Sequence, residues 1–158
     1  YSSDDLKQML RDIDIVRSFD IEGVVLGATT SRGILDIKFL EELVSHSFGL
    51  KKTLHRAVDT LNNTVESVEV AIELGFDAIL SSGGEANVLE GLSILTEMKK
   101  KASRRIQIMP GRGIKASNAK EIIDYCEFEW IHSSCSIKNN NSYLTDLQSI
   151  QDLKNEII

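Results

Sequence analysis

The residues best suited to chemistry lie in the stretch LHRAVD, where an apolar run is followed by His55, Arg56 and Asp59. The imidazole of His55 titrates near neutral pH and is therefore a candidate acid or base. Arg56 would pair with a carboxylate, either Asp59 or Glu22. Neighbouring strand residues point to opposite faces, so His55 and Arg56 cannot both face one site unless the strand bends. In a second interpretation the three side chains form a buried network that fixes the loop.

Small residues follow two further apolar runs. One group contains Ser82 and Gly83, and the other contains Gly111, Arg112 and Gly113. Backbone amides in such loops approach anions closely, so both groups predict a binding site for a small anionic or phosphorylated ligand. The guanidinium of Arg112 would strengthen anion binding, or it would fill the pocket. The alternative is that these are tight turns, which need glycine in any case.

The last apolar run ends in HSSC, residues 132–135. A family resemblance carried by this and other segments implies that three of these residues complete the ligand site: His132, Ser133 and Ser134. A second possibility concerns Cu(I), which prefers thiolate, thioether and imidazole ligands. For that ion the candidate ligands are His55, His132 and Cys135, with Met109 nearby in sequence. No closely spaced pair of cysteines or methionines supports this set, and Met109 is equally suited to a hydrophobic core.

The pattern around these residues indicates an α/β fold. Apolar, strand-like runs alternate with amphipathic helical stretches, at a spacing typical of βα units. The five runs span residues 21–28, 52–59, 76–84, 106–113 and 128–135. Such alternation predicts a parallel sheet with helical crossovers, either an open sheet or part of a (β/α) barrel. A closed barrel normally takes eight units and about 250 residues. Residues 136–143 are polar and predict a loop.

Composition limits the classes of function. The chain has 158 residues, 42% of them hydrophobic and 27% charged, and a net charge of -6, which indicates one domain spanning residues 1–158. The acidic balance argues against a nucleic-acid surface. No apolar run approaches the roughly 18 residues of a membrane span. Two cysteines outside any zinc-binding spacing are typical of a reducing cytosol, so we expect a cytoplasmic protein.

Four segments in register resemble the CutC copper homeostasis protein family. They read TLHRAVD, GFDAILSSGG, IQIMPGRGI and FEWIHSSC. The opening YSSDDL and the stretch VVLGATTSRGILD are similar to further motifs of that family. The resemblance runs from Tyr1 to about Cys135, and Arg112 departs from it where the family commonly has Gly or Ala. Each motif is weak alone, but several in the same order are specific.

The resemblance implies a TIM-type barrel. It also implies that the chain begins late, because the family's first three βα units and an upstream cysteine segment have no counterpart. The apolar runs would then form an incomplete barrel of about five strands with flanking helices. Open apolar edges invite pairing and aggregation, so we expect the isolated chain to be unstable unless other strands complete it.

Three hypotheses about function follow. The resemblance implies copper homeostasis or tolerance, with Cu(I) as the bound ion. The residues alone also fit an enzyme in which His55 acts on a small anionic or phosphorylated metabolite, with Arg56 or Arg112 binding the anion. A third hypothesis is a fragment without independent activity. The expected partners are a copper ion or a small anion, with self-association as a further possibility.

Overall fold

The computed structural model describes residues 1–140 and 142–157, and its centre is a parallel β-sheet. Four strands form it: β1 (Gly23–Leu26), β2 (Lys51–Leu54), β3 (Ala78–Ser81) and β4 (Gln107–Pro110). They lie in the order β1-β2-β3-β4, and every pairing is parallel. The helices are α1 (Ser3–Arg17), α2 (Ile37–His46), α3 (Ser67–Leu74), α4 (Leu92–Ala102), α5 (Ala116–Cys126) and α6 (Leu147–Ile157). The predicted α/β class with flanking helices is confirmed.

One face of the sheet packs against the helices. Leu54, Ile79 and Ile108 are aligned across β2, β3 and β4 and are 0%, 0% and 3% exposed. They share a core cluster with the apolar sides of the helices. Alternate residues face the other side, where Val25 on the edge strand β1 is 62% exposed. The period of two along each strand therefore decides which side chains enter the core.

The prediction of a fifth strand at residues 128–135 is wrong. Only a single parallel bridge joins this segment to β4, between Gly111 and His132, and the His132 N–H donates to the Pro110 carbonyl at 2.8 Å. Glu127 and Cys135 have positive φ values of 50° and 43°. These left-handed residues turn the chain at both ends of the run, so a regular strand cannot extend beyond them.

The prediction of a polar loop at residues 136–143 is also wrong. The segment forms an antiparallel hairpin of β5 (Ser136–Asn139) and β6 (Ser142–Thr145). Ile137 lies opposite Leu144, and Lys138 lies opposite Tyr143. Isoleucine, leucine and tyrosine pair well across antiparallel strands, and this outweighs the polar asparagines at the turn.

The amino ends of the strands are held by Asp77. Its carboxylate accepts hydrogen bonds from the Lys52 N–H at 2.8 Å and from the Lys51 ammonium at 3.2 Å. Partial burial by itself would raise the pKa of Asp77, but these donors outweigh it and the pKa lies below its ordinary value. We therefore assign this end of the sheet to stability.

The alternation in the sheet gives a prediction about stability. Replacing Leu54, which is fully buried, by alanine should lower the free energy of unfolding by about 2–5 kcal/mol, because it leaves a cavity in the core. The matched change Val25→Ala on the exposed side of β1 should alter it by less than about 0.5 kcal/mol. Urea unfolding followed by circular dichroism measures both values. Equal losses for the two variants would contradict the assignment of the faces.

Candidate functional site

The chain bends immediately after β2, and this decides where His55 and Arg56 point. β2 ends at Leu54, and a short 3-10 helix runs from Arg56 to Thr60. His55 caps that helix, since its Nδ1 accepts a hydrogen bond from the Ala57 N–H at 3.1 Å. Strand alternation therefore no longer applies to Arg56, and each side chain must be located separately.

Asp59 is the most heavily hydrogen-bonded of the predicted site residues. Its side chain is only 5% exposed and accepts a charged hydrogen bond from Arg56 Nε at 2.8 Å. Three further donors reach it from the turn after β3: Ser81 Oγ at 2.6 Å, the Ser82 N–H at 3.0 Å and the Gly84 N–H at 3.2 Å. The Ser82 hydroxyl lies 2.9 Å from both Asp59 and the Glu85 carbonyl. This geometry matches the interpretation of a network that fixes the loop for Arg56 and Asp59, but His55 makes none of these bonds and caps the 3-10 helix instead.

The turn after β3 therefore already surrounds an anion, the carboxylate of Asp59. The Gly83 N–H donates to Ser81 Oγ at 2.8 Å, and the Ser82 and Gly84 amides donate to Asp59. Ser82 is fully buried, and a Cβ on Gly83 would lie 2.6 Å from the Gly91 carbonyl oxygen. The predicted ligand-binding amides of Ser82 and Gly83 thus serve internal contacts in this structure.

His55 lies away from the other predicted site residues. Its ring packs on Gly27, where an added Cβ would come within 2.4 Å of the imidazole. It lines a cavity of about 390 Å³ beside β1 and α1, which we call the edge cavity. Because Nδ1 accepts the Ala57 N–H, the neutral ring carries its proton on Nε2. Binding a metal through Nε2 would require the opposite tautomer and would break this cap.

Most of the other predicted residues meet in a second cavity of about 850 Å³, which we call the loop cavity. It lies at the carboxyl end of the sheet, between the loops after β4, the hairpin and α6. Seven predicted residues line it: Arg56, Arg112, Gly113, His132, Ser133, Ser134 and Cys135. The reactive end of a parallel α/β sheet is where ligands usually bind.

Arg112 has an unusual backbone conformation in this cavity. Its φ is 107°, and it stands between Gly111 and Gly113. A bulky residue in that region is strained. Its Nη1 donates to the Glu85 carbonyl at 3.2 Å, and its own carbonyl accepts from the Val88 N–H. Gly113 also has a positive φ, of 79°. At Gly111 the constraint is different, because a Cβ there would lie 2.5 Å from Leu80 Cδ1 and that side chain would have to move.

The three predicted copper ligands are not assembled into one site. His55 lines the edge cavity, whereas His132 and Cys135 line the loop cavity. In residues 1–140 and 142–157, no three His, Cys, Asp or Glu side chains lie close enough together to hold a metal ion. The set of His55, His132 and Cys135 therefore does not fit a copper ion in this arrangement, and copper binding stays a prediction.

The sequence interpretation missed several residues of the loop cavity. Lys115, Lys138, Tyr143 and Asp152 all line it. Lys115 follows directly on the glycine loop, so the spacing could have indicated it. The other three lie in the hairpin and α6, and no local motif marks them. With Arg56 and Arg112, the cavity carries four cationic side chains.

Three comparisons bear on the family. The CutC family model matches residues 1–137. A family protein CutC of Sinorhizobium medicae is 43% identical over 136 residues, and one of Agrobacterium fabrum is 42% identical over 136 residues. Both alignments cover 86% of this chain but only 56% and 54% of the relatives. The chain thus spans about half the length of these curated relatives.

Solved structures agree with the sheet and its helices. A protein from Streptococcus agalactiae, named as a candidate copper homeostasis protein CutC, superposes with a TM-score of 0.79 at 27% identity. That match covers 84% of this chain and 65% of the other. A structure described as native KDPGal superposes with a TM-score of 0.62 at 14% identity, which supports the fold alone. Within residues 1–140 and 142–157, no helix is long and apolar enough to cross a membrane.

The buried Asp59 network gives a second prediction. Asp59→Asn removes the charge opposite Arg56 and places an amide against buried donors, so it should lower the free energy of unfolding by about 2–4 kcal/mol. The control is Asp124→Asn, which removes the charge from an exposed pair with Lys120 and should leave stability nearly unchanged. Urea unfolding of both variants tests this. A loss for Asp59→Asn no larger than that of the control would contradict the structural role.

Proposed function

The chain belongs to the CutC family. From the size and charge of the loop cavity, we propose that this cavity binds a small anionic, phosphorylated metabolite. The volume of about 850 Å³ lies within the usual range for small-molecule sites. Four cations and one carboxylate, Asp152, line the walls. The charged side chains of the cavity are therefore mostly positive, whereas the whole chain has a net charge of -6.

The observation that carries the proposal is the strained backbone of Arg112. A non-glycine residue with a φ of 107° costs about 1–3 kcal/mol, and such strain persists mainly where a side chain serves a function. Arg112 lines the loop cavity beside Gly113, and among the described residues its guanidinium donates only to the Glu85 carbonyl, through Nη1. Arginine matches the geometry of phosphate and carboxylate groups, so an anionic ligand would offset the strain.

Arg56 supports the same proposal from the other side of the cavity. Its Nε is engaged by Asp59, and its side chain is 36% exposed. Guanidinium groups have five donors, so the nitrogens not bound to Asp59 can reach a ligand. Asp59 would then orient Arg56 without contacting the ligand. In the enzyme hypothesis, His132 replaces His55 as the acid or base, because it lines this cavity.

Copper homeostasis is a second proposal. It is motivated by the name of the streptococcal relative and by two soft ligands, His132 and Cys135, that line one cavity. Both cysteines are free, which fits the cytoplasmic location that we also propose. In this proposal copper is the cargo of the cavity, and His55 takes no part in holding it.

The anion proposal predicts that one substitution, Arg112→Gly, raises stability but weakens ligand binding. Arg112→Gly should raise the free energy of unfolding by about 1–3 kcal/mol, because it relieves the backbone strain. It should weaken binding of inorganic phosphate about tenfold or more, because a charged hydrogen-bond donor is lost. Urea unfolding and isothermal titration calorimetry measure the two effects.

The control is Ser103→Gly at the end of α4, where φ is 46°. It should raise stability by about 1 kcal/mol and leave phosphate binding unchanged. If wild type binds no phosphate, or if Arg112→Gly binds it as tightly as wild type, the proposal is wrong.

The copper proposal predicts a different pattern. Titration with Cu(I) against a colorimetric chelator should show binding that falls at least about tenfold in Cys135→Ser and in His132→Ala, since thiolate and imidazole are the preferred ligands. Cys126→Ser and His55→Ala should retain wild-type affinity. Absence of Cu(I) binding, or equal loss in the two cysteine variants, would exclude the loop cavity as the copper site.

A further inference from the structure

The β5–β6 hairpin forms one wall of the loop cavity. Four of its residues line that cavity: Ser136, Ile137, Lys138 and Tyr143. The CutC family model ends at residue 137, so Lys138 and Tyr143 lie outside the matched region. The hairpin therefore contributes a lysine and a tyrosine to a cavity whose other walls contain residues of the family motifs.

Register places the two functional groups of this wall together. Lys138 and Tyr143 are direct partners across the antiparallel pair. Directly opposed residues project from the same face of a hairpin, with Cβ atoms about 4.5–5.5 Å apart. Tyr143 is 71% exposed, so its ring is not part of the hydrophobic core. Both residues line the loop cavity, so the hairpin brings a lysine and a tyrosine to it as neighbours.

The base of the hairpin is fixed, which keeps this pair in position. Cys135 turns the chain with a φ of 43°, and its carbonyl accepts the Asp146 N–H at 2.8 Å. The Asp146 carboxylate in turn accepts from the Ser149 N–H at 2.7 Å, which ties the second strand to the start of α6. A wall anchored at its base loses less conformational entropy when a ligand binds.

We propose that the hairpin determines ligand specificity, and that Tyr143 selects a phosphorylated compound carrying a flat ring, such as a nucleoside monophosphate. This inference rests on the proposed anion site. Arg56 and Arg112 would bind the phosphate, Tyr143 would stack on the ring, and Lys138 would add charge at the rim. The cavity of about 850 Å³ has room for such a molecule, which a lone phosphate would leave largely empty.

Calorimetry with three probes tests the inference: inorganic phosphate, ribose 5-phosphate and adenosine monophosphate. Wild type should bind adenosine monophosphate about tenfold more tightly than ribose 5-phosphate, since a base gains affinity by stacking on an aromatic side chain. Tyr143→Ala should abolish that difference, and Tyr143→Phe should keep it. Lys138→Gln should weaken both organic phosphates by a similar factor.

The control is Tyr125→Ala, which removes another exposed tyrosine, on α5 and outside the residues lining the cavity. It should bind all three probes as wild type does. If ribose 5-phosphate binds but adenosine monophosphate binds no tighter, or if Tyr143→Ala weakens both equally, the hairpin inference is overturned while the anion site stands. If no phosphate compound binds, both proposals fail.

Discussion

The carboxyl end of the sheet depends on the hydrogen bonds that the buried carboxylate of Asp59 accepts. It lies in the 3-10 helix after β2 and binds the turn after β3 through Ser81, Ser82 and Gly84. A buried carboxylate is costly unless charged and hydrogen-bond donors surround it. Here Arg56 supplies the charge and the turn supplies the donors. Two neighbouring strand ends are therefore held in one geometry.

This arrangement separates the anion that belongs to the fold from the anion that we propose as ligand. The serine-glycine turn after β3 uses its amides on Asp59, so it is a structural counterpart of a phosphate loop. The cations with donors still available lie one strand further on, at Arg112 and Lys115. Arg56 is the link between the two, because it touches Asp59 and also lines the loop cavity.

At one residue beside the loop cavity, Arg112, the backbone conformation lowers the stability of the fold. A Cβ on Gly111 would displace the end of the Leu80 side chain, whereas Arg112 occupies a conformation that glycine would adopt more easily. Marginal stability leaves little room for such strain without a compensating benefit. The helix-facing side of the sheet shows the opposite situation, since Leu54 and Ile79 are completely buried and the core there is continuous. The sheet thus combines a continuous core on its helix-facing side with a strained backbone just beyond its carboxyl end.

The sequence by itself determined the parallel α/β sheet and the end of the sheet where polar residues gather. These features follow from local periodicity, which needs only neighbouring residues to be read. Only the tertiary structure decided that Arg56 and not His55 lines the loop cavity, that Ser82 binds Asp59, and that residues 136–145 form a hairpin wall. The reason is distance along the chain: the bond from Ser81 to Asp59 spans 22 residues, and its partner cannot be inferred from either segment alone.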